Sequence, residues 1–319
     1  MSIKIIGTGS AVPALKVSNE ELSKLVDTSD EWIKTRTGIE ERHICTSESL
    51  TDLALTSARA ALHDAGITSD ELDLIICATI RPDFMTPSMS CTIQEELGAN
   101  CPGFDLNAAC SGFLYAIDAA LGYFARGKVK KVLIIAAESM SKLVDWSDRA
   151  TCVLFGDGAG AVILSEGDEL LSIRVNAAGS DILRIPNVQG NCPYNQSEIR
   201  PPYLFMAGQE VFKFAVNSIC NDLNGVIEDA GISPKDIDYV LLHQANQRII
   251  AAAEKYMKIE KEKYIMNINH YGNTSSASIP LLLDELNKSH RLKDGDILAM
   301  SAFGGGLTSA ACILRWKKQ

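Results

Sequence analysis

Two stretches of the chain, 64-DAGITSDELDLIICA-78 and 229-DAGISPKDIDYVLLH-243, share one pattern and lie 165 positions apart. A second pair, 131-KVLIIAA-137 and 296-DILAMSA-302, repeats the same separation. Two matches at one offset predict that the chain contains an internal duplication. The alternative is a pair of unrelated α/β units that use a common helix-turn-strand phrase.

Each copy predicts a helix followed by a buried strand. In the first copy, apolar residues recur at helical spacing from Leu53 to Leu62 and stop at Gly66, a glycine suited to end a helix. Strands are predicted at 74–78 and 239–242, where the apolar runs are continuous rather than alternating. Continuous runs are typical of strands that helices cover on both faces, so we predict an α/β fold.

The duplication divides the chain into two predicted halves, residues 1–165 and 166–319. A stretch of mixed polar, Pro and Gly content over about 165–202 is predicted to link them. The GTGSAV stretch that begins at Gly7 lacks the third glycine of a dinucleotide fingerprint, so we predict a turn there.

Composition excludes several classes of protein. The 319 residues are 46% hydrophobic and 22% charged, which is ordinary for a globular chain. The net charge of −10 disfavours nucleic acid as the main partner. We expect no membrane span, because no apolar run approaches ~20 residues. The first residues lack the pattern of a signal peptide, so we expect a cytoplasmic protein.

The cysteine content points the same way. Nine cysteines are an odd number, they are irregularly spaced, and no C-x-x-C occurs among them. The five histidines do not stand beside cysteines at metal-ligand spacing. We therefore expect neither a disulfide framework nor a metal site. The same cysteine usage is typical of a protein in the reducing cytosol.

Cys110 stands between a strand-like and a helical stretch in 105-DLNAACSGFLYAIDAALGYFARG-127. It is therefore predicted to lie at or just before a helix N-terminus. Free N–H groups and the helix dipole favour a thiolate there, and the same N–H groups can hold an oxyanion. The alternative is a small buried cysteine, which is common in protein cores.

The second half supplies possible partners. His243 follows a buried strand, at the end where α/β sheets gather ligands. Asn273 lies two positions from residue 275, the counterpart of Cys110 under the offset. Alone, His243 fits a core histidine equally well, and Asn273 fits a helix cap better than a catalytic residue. Together, Cys110, His243 and Asn273 favour acyl transfer.

The whole chain resembles β-ketoacyl-[acyl-carrier-protein] synthase III, the initiating condensing enzyme of the thiolase superfamily. The resemblance rests on several motifs in order: DEWIKTRTGIEERHI, DLNAACSGF, DRATCVLFGDGAGA, MAGQEVFKFAV, HQANQRII, GNTSSASIP and AFGGG. It implies a duplicated five-layered α-β-α-β-α fold with two pseudo-twofold-related halves. It also implies a homodimer that uses acyl carrier protein and acetyl-CoA or another short acyl-CoA, with no metal or cofactor, since acyl-CoA is a substrate.

The resemblance assigns the catalytic roles to Cys110, His243 and Asn273. Cys110 would attack the acyl-CoA thioester, while the backbone N–H groups of Cys110 and Gly305 hold the oxyanion. Malonyl-carrier protein would then lose CO2, with His243 and Asn273 donating hydrogen bonds to the enolate. Degradative thiolases carry a second catalytic cysteine near the C-terminus. Here Cys312 falls in the apparent last strand and is predicted to be buried packing.

The resemblance also implies three sets of binding residues. The acyl pocket would hold Phe303 and, from the partner subunit, Thr86. Thr28, Trp32 and Arg36 are spaced by four, which predicts one helix face against coenzyme A, although Thr28 and Glu31 also fit a capping box. The coenzyme-binding set is Thr28, Trp32, Arg36, Arg149, Phe212 and Asn246. The carrier-docking set is Lys213, Gln244, Ala245, Asn246, Gln247, Arg248 and Lys255.

Three alternatives stay open at this point. A related condensing enzyme of secondary metabolism, or one that joins two acyl chains, would use the same residues with a different acyl pocket. A non-catalytic binder on this fold would not need the intact Cys110, His243 and Asn273. A cysteine redox sensor would need a resolving cysteine, for which Cys101 and Cys152 are the candidates.

Overall fold

A computed structural model describes residues 2–188, 190, 192–194, 198 and 200–318. The strands of this part are β1 (Ser2–Ala11), β2 (Leu15–Ser18), β3 (Glu41–Ile44), β4 (Leu74–Ala78), β5 (Gly103–Leu106), β6 (Lys131–Ser139), β7 (Asp157–Gly167), β8 (Leu170–Ser180), β9 (Leu183–Arg184), β10 (Phe205–Met206), β11 (Tyr239–Leu242), β12 (Ile297–Gly304) and β13 (Gly306–Arg315). The helices are α1 (Asn19–Leu22), α2 (Asp30–Thr37), α3 (Leu50–Ala65), α4 (Met89–Leu97), α5 (Gly112–Ala125), α6 (Arg149–Cys152), α7 (Gly208–Asp229), α8 (Gln247–Tyr256), α9 (Ile268–Tyr271) and α10 (Ser278–Lys288).

Two mixed sheets carry the fold. The first has the strand order β1-β7-β6-β4-β5, and the second has the order β11-β12-β13-β8. In the first sheet β4 is parallel to β6, β6 is antiparallel to β7, and β7 is antiparallel to β1. In the second sheet β11 is parallel to β12, β12 is antiparallel to β13, and β13 is antiparallel to β8. The same four-strand arrangement therefore occurs twice, and the predicted duplication is confirmed.

Helices separate and cover the two sheets. The central helices α5 and α10 pack between the sheets, and their apolar residues share one core with residues of β4, β6, β12 and β13. Helix α3 covers the outer face of the first sheet, together with α4. Helices α7 and α8 cover the outer face of the second sheet. The predicted five-layered α-β-α-β-α architecture is confirmed.

Two aspartates show how the copies correspond. The N–H of Asp73 donates to the carbonyl of Lys131, and its carboxylate accepts from the Lys131 N–H. Asp238 makes the same two bonds with Ile297. Asp73 and Asp238 are 165 positions apart, but Lys131 and Ile297 are 166 apart. The single offset predicted from the sequence is therefore wrong by one residue in the later strands.

Helix α3 illustrates how local sequence positions the elements. The Ser49 side chain accepts from the Asp52 N–H at its start, and Gly66 ends it with a φ of 65°, as predicted. The predicted turn at Gly7 is wrong, because Gly7 lies within β1. The absence of a side chain at Gly7 lets α3 pack closely, since a Cβ there would stand 2.5 Å from the Ala61 carbonyl oxygen.

The predicted linker over 165–202 is partly wrong. Strand β7 of the first sheet continues to Gly167, and β8 of the second sheet begins at Leu170. The chain thus passes between sheets within two residues. The division at 165 and 166 stays a prediction. No helix in the part of the chain that the structure describes is long and apolar enough to cross a membrane.

Candidate active site

Cys110 lies in a 3₁₀ turn, Ala109–Ser111, between β5 and α5. The residue before it, Ala109, has a φ of 48°, a left-handed conformation that is uncommon for a residue with a side chain. This sharp corner places Cys110 just before the N-terminus of α5, where the sequence predicts it.

The resting Cys110 is a thiol. Cys110 is half-buried, and the partial loss of water around its sulfur raises the pKa of the thiol to about 12. The hydrogen-bond contact with the Ser275 hydroxyl lowers this pKa, and the nearby Glu138 raises it further. The thiolate expected from the helix N-terminus is therefore not the resting form.

His243 directly follows β11 and is held from several sides. Its N–H donates to the Ser301 carbonyl at 2.8 Å, and its ring packs edge-on against Phe303. Its Nδ1 lies 2.7 Å from the Ser278 hydroxyl, which also accepts from the Gln244 N–H. The Ser278 proton is thus available to Nδ1, and we assign the ring proton to Nε2. Burial lowers the pKa of His243 to about 3, so the imidazole is neutral.

Asn273 is fixed through both its backbone and its amide. Its N–H donates to the Leu154 carbonyl at 2.8 Å, and its carbonyl accepts from the Gly156 N–H at 3.0 Å. The side-chain Oδ1 accepts from the Ser275 N–H at 2.8 Å. Because Oδ1 is engaged, the amide presents its Nδ2–H groups as donors.

A single cavity of about 890 Å³ joins these residues. Cys110, His243 and Asn273 all line it, as the sequence predicts. The other predicted site residues on its wall are Arg36, Phe212, Lys213, Ala245, Asn246, Arg248, Phe303 and Gly305.

The glycines after Phe303 allow the two halves to meet at Cys110. A Cβ at Gly304 would stand 2.6 Å from the Cys110 nitrogen and 3.2 Å from its Cβ. No side chain fits there, so β12 can approach Cys110 closely only because this residue is glycine.

An aromatic and cationic cluster includes Arg36, which lines the cavity. The guanidinium carbons of Arg36 and Arg149 lie 4.9 and 5.0 Å from the Trp32 ring centroid. Thr28 is not on the face of α2, which begins at Asp30, and Ser29 rather than Thr28 caps it. Both predicted geometries for Thr28 are therefore wrong, but its hydroxyl is buried without a hydrogen-bond partner in the described structure.

Helix α8 begins beside His243. Arg248, Gln247 and Lys255 are exposed on it, and Asn246 caps it by accepting from the Arg248 N–H. Gln244 corrects the docking prediction, because it is 1% exposed and cannot meet a docked protein. Its amide instead donates to the Leu242 carbonyl and accepts from the Asn267 N–H, which braces the chain behind His243.

The two predicted acyl-pocket residues lie in different places. Phe303 lines the cavity and contacts the His243 ring. Thr86 is exposed and does not line the cavity within this chain. Next to it, Phe84 and Met85 are 62% and 79% exposed, which is unusual for large apolar side chains.

Two residues near Cys110 were missed by the sequence reasoning. Ser275 and Glu138 are both buried, and Ser275 bridges Glu138 and the Cys110 sulfur. The available signal was a carboxylate at the end of the otherwise apolar strand KVLIIAAES. Cys312 is buried in β13, as predicted. No group of metal-ligating side chains occurs among the described residues.

Comparison with known proteins identifies close relatives. Residues 104–179 match the family model of 3-oxoacyl-[acyl-carrier-protein] synthase III, and residues 227–316 match the model of its C-terminal part. A β-ketoacyl-[acyl-carrier-protein] synthase III of Clostridium acetobutylicum is 47% identical over 99% of both chains. The crystal structure of 3-oxoacyl-[acyl-carrier-protein] synthase III from Aquifex aeolicus is 46% identical, has a TM-score of 0.93, and covers 99% of this chain and 100% of its own. The priming β-ketosynthase of the R1128 polyketide pathway is 34% identical at a TM-score of 0.93, over 99% of this chain and 96% of its own.

Proposed function

The chain belongs to the β-ketoacyl-[acyl-carrier-protein] synthase III family, and we propose that Cys110, His243 and Asn273 carry out its two half-reactions. As a member of this family it is an acyltransferase that performs the initiating condensation of fatty-acid synthesis. The observation that carries the residue assignment is the shared cavity, which Cys110, His243 and Asn273 all line.

In the first half-reaction, Cys110 attacks the thioester carbonyl of a short acyl-CoA. The carbonyl oxygen becomes an oxyanion, which the N–H groups of Cys110 and Gly305 stabilise. The close approach of Gly304 to the Cys110 nitrogen supports this arrangement, because it brings the two backbones together. One such donor contributes about 2.7–4 kcal/mol to transition-state stabilisation.

In the second half-reaction, malonyl-carrier protein loses CO2 and its enolate attacks the acyl group on Cys110. The Nε2–H of His243 and the Nδ2–H of Asn273 donate to the enolate oxygen. Both donors are neutral, since burial keeps the pKa of His243 near 3. Neutral donors stabilise a developing negative charge and leave decarboxylation, rather than proton abstraction, to make the carbanion.

We place coenzyme A against the cluster of Trp32, Arg36 and Arg149. An indole and guanidinium groups attract an adenine ring by stacking and cation–π interaction. Phe212 and Asn246 line the path from this cluster to Cys110.

We place the acidic carrier protein on the basic side chains around the cavity mouth. Arg248 and Lys213 line the cavity and are exposed, and Lys255 lies two turns beyond Arg248 on α8. This local positive charge opposes the net charge of −10 and steers an acidic partner to the mouth.

We further propose a cytoplasmic homodimer. The exposed Phe84 and Met85 support a partner subunit at this loop, because large apolar side chains are seldom left in water side by side. In such a dimer Thr86 would reach the acyl pocket of the partner. The two proposed half-reactions would need no metal or cofactor.

The function is tested by incubating the protein with acetyl-CoA and malonyl-carrier protein and following CO2 and the carrier product by mass spectrometry. We expect one 3-oxoacyl-carrier protein for each CO2 released. A protein that binds both substrates but forms neither product would contradict the proposal.

A further inference from the structure

A buried carboxyl group lies behind Cys110 and has no place in the two half-reactions above. Glu138 is the second-last residue of β6 and is 1% exposed. Its Oε1 accepts from the hydroxyls of Ser275 at 3.1 Å and Ser276 at 2.7 Å, and its Oε2 accepts from the Ile80 N–H at 3.0 Å. These partners are all neutral, and no lysine or arginine of the described residues forms an ion pair with it.

Ser275 connects this carboxyl group to the nucleophile. Its Oγ lies 3.3 Å from the Cys110 sulfur and 3.1 Å from Glu138 Oε1. The residue is fully buried and has a φ of 51°, and its N–H is held by Asn273 Oδ1. One hydroxyl in a fixed position thus contacts both groups, but it has only one proton to donate.

Resting on the proposed role of Cys110 as nucleophile, we propose that Glu138 accepts the thiol proton of Cys110 through the Ser275 hydroxyl. As the sulfur attacks the thioester carbon, its S–H proton moves to Ser275 Oγ, and the proton of Ser275 moves to Glu138 Oε1. The bond between the carbonyl carbon and coenzyme A breaks, and the coenzyme leaves as a thiolate that takes a proton from solvent.

The second half-reaction returns the proton. When the enolate attacks, the bond between the acyl carbon and Cys110 breaks, and the leaving sulfur takes the proton of Ser275. Glu138 then gives its proton back to Ser275 and regains its charge. The relay is therefore reset after each turnover, and the one proton consumed overall is the one that coenzyme A takes from solvent.

Geometry favours Glu138 over His243 as the acceptor. With Nδ1 bonded to Ser278 and Nε2 protonated, the imidazole presents a donor to the cavity and no lone pair. Glu138 presents a carboxylate oxygen that already contacts the bridging hydroxyl.

Charge favours Glu138 as well. A proton passed to Glu138 moves one negative charge from oxygen to sulfur, whereas a proton passed to His243 creates two opposite charges in a buried site. Burial also raises the pKa of Glu138 to about 7 and lowers that of His243 to about 3, so the carboxylate is the stronger base.

The relay has a pH signature. Glu138 accepts a proton only when ionised, so acylation is expected to fall as the pH drops through about 7. The group that shares this site and also titrates is Cys110, which remains a thiol throughout that range. His243 stays neutral in this pH range, so it does not contribute to the pH dependence of the acylation rate.

The test uses three variants of the intact protein. Glu138→Gln removes the acceptor and keeps its shape, and Ser275→Ala removes the bridge. Ser276→Ala is the matched control, because Ser276 also bonds Glu138 but makes no described hydrogen bond to Cys110. Two rates are measured from pH 5 to 9: acylation by acetyl-CoA, and alkylation of Cys110 by iodoacetamide, located by peptide mass spectrometry.

We expect Glu138→Gln and Ser275→Ala to slow both reactions about 100-fold at pH 8. In both variants the fall in rate on going below about pH 7 should disappear. Ser276→Ala should stay within a few-fold of the parent protein. A purely electrostatic role predicts the opposite for Glu138→Gln, since removing a nearby negative charge lowers the pKa of Cys110 and speeds alkylation.

The outcomes separate this proposal from the proposed function. The relay would be overturned if Glu138→Gln were acylated as fast as the parent protein or faster and still lost rate below about pH 7. That result would leave Cys110 as the nucleophile. Equal losses in Ser275→Ala and Ser276→Ala would overturn the relay too, because they would mean that packing rather than the bridge matters. If the parent protein is not acylated at Cys110 at all, the proposed function itself fails.

Discussion

The Ser275 hydroxyl lies 3.3 Å from the Cys110 sulfur, although the two residues are 165 positions apart. They belong to the 3₁₀ turns Ala109–Ser111 and Ser275–Ala277, which precede the two central helices α5 and α10. Each turn begins with a left-handed residue, Ala109 at 48° and Ser275 at 51°. The duplication thus brings two copies of one corner together, and one copy supplies the Cys110 thiol while the other supplies a hydroxyl against it.

The division of labour predicts that Asn273→Ala separates the half-reactions. This variant should still take an acetyl group from acetyl-CoA, because Cys110 is intact. It should lose decarboxylation of malonyl-carrier protein by about 100-fold or more, because one donor to the enolate is gone. The measurements are mass spectrometry of the acyl-enzyme and release of CO2.

A second variant of Asn273 preserves its hydrogen bond with the Ser275 N–H. Asn273→Asp keeps the oxygen that accepts from the Ser275 N–H but replaces the donor with a carboxylate. It should fail in decarboxylation as Asn273→Ala does. If both variants lost acylation and decarboxylation to the same extent, the roles assigned to Cys110 and Asn273 would be wrong.

Gly304→Ala is expected to impair acylation. The added Cβ would stand 2.6 Å from the Cys110 nitrogen, where it displaces the N–H that holds the oxyanion. We expect a loss of about 100-fold in the rate of acyl-enzyme formation.

The control for this change is Gly122→Ala within α5, where an added Cβ meets nothing within 4 Å. Alanine is the better helix former by about 0.5–1 kcal/mol, so this variant should be at least as stable as the parent protein and equally active. Full activity of Gly304→Ala would remove the Cys110 N–H from the oxyanion site.

Starter selection is predicted to depend on Thr86 of the partner subunit. Thr86→Phe should narrow the accepted acyl-CoA range toward acetyl-CoA, because a larger side chain fills the pocket floor. The measurement compares the kcat/KM values for acetyl-, isobutyryl- and longer acyl-CoA. An unchanged order of preference would exclude Thr86 from the acyl pocket. Thr86 would then no longer support an acyl pocket shared between two subunits.

Carrier docking is predicted to depend on Arg248. Arg248→Glu reverses a charge at the cavity mouth, so the KM for malonyl-carrier protein should rise about ten-fold while acylation by acetyl-CoA changes little. The effect should shrink with added salt, which shortens the Debye length from ~10 Å at 0.1 M.

Lys128→Glu is the matched control for that charge change. Lys128 is exposed beyond the C-terminal end of α5, the end away from Cys110, so its reversal should leave both constants unchanged. Similar losses with both substrates in Arg248→Glu would indicate damage to the fold or the coenzyme site, and the docking assignment would be withdrawn.

Local patterns predicted the main architecture well. Continuous apolar runs predicted the strands at 74–78 and 239–242. A glycine predicted the end of α3 at Gly66, which adopts the left-handed conformation. The repeat offset of 165 was wrong by one residue in the later strands, where the carboxylate of Asp73 accepts from the Lys131 N–H and that of Asp238 accepts from the Ile297 N–H.

Predictions about individual side chains were less complete, because they depend on contacts between distant segments. Gln244 looked like a surface residue beside His243, but it bonds inward to Leu242 and Asn267. The pKa of Cys110 was misjudged because the helix N-terminus is visible in the sequence, whereas burial is not. The bridge from Glu138 to Cys110 spans three segments, and no local pattern encodes it.

The central claim is that Cys110 carries the acyl group. It is tested most directly by incubating the protein with acetyl-CoA and mapping the modified peptide by mass spectrometry, with Cys110→Ala as the control. We predict one acetyl group per chain, on the peptide that contains Cys110, and none on the variant. Acetylation of any other of the nine cysteines, or of Cys110→Ala, would contradict the account.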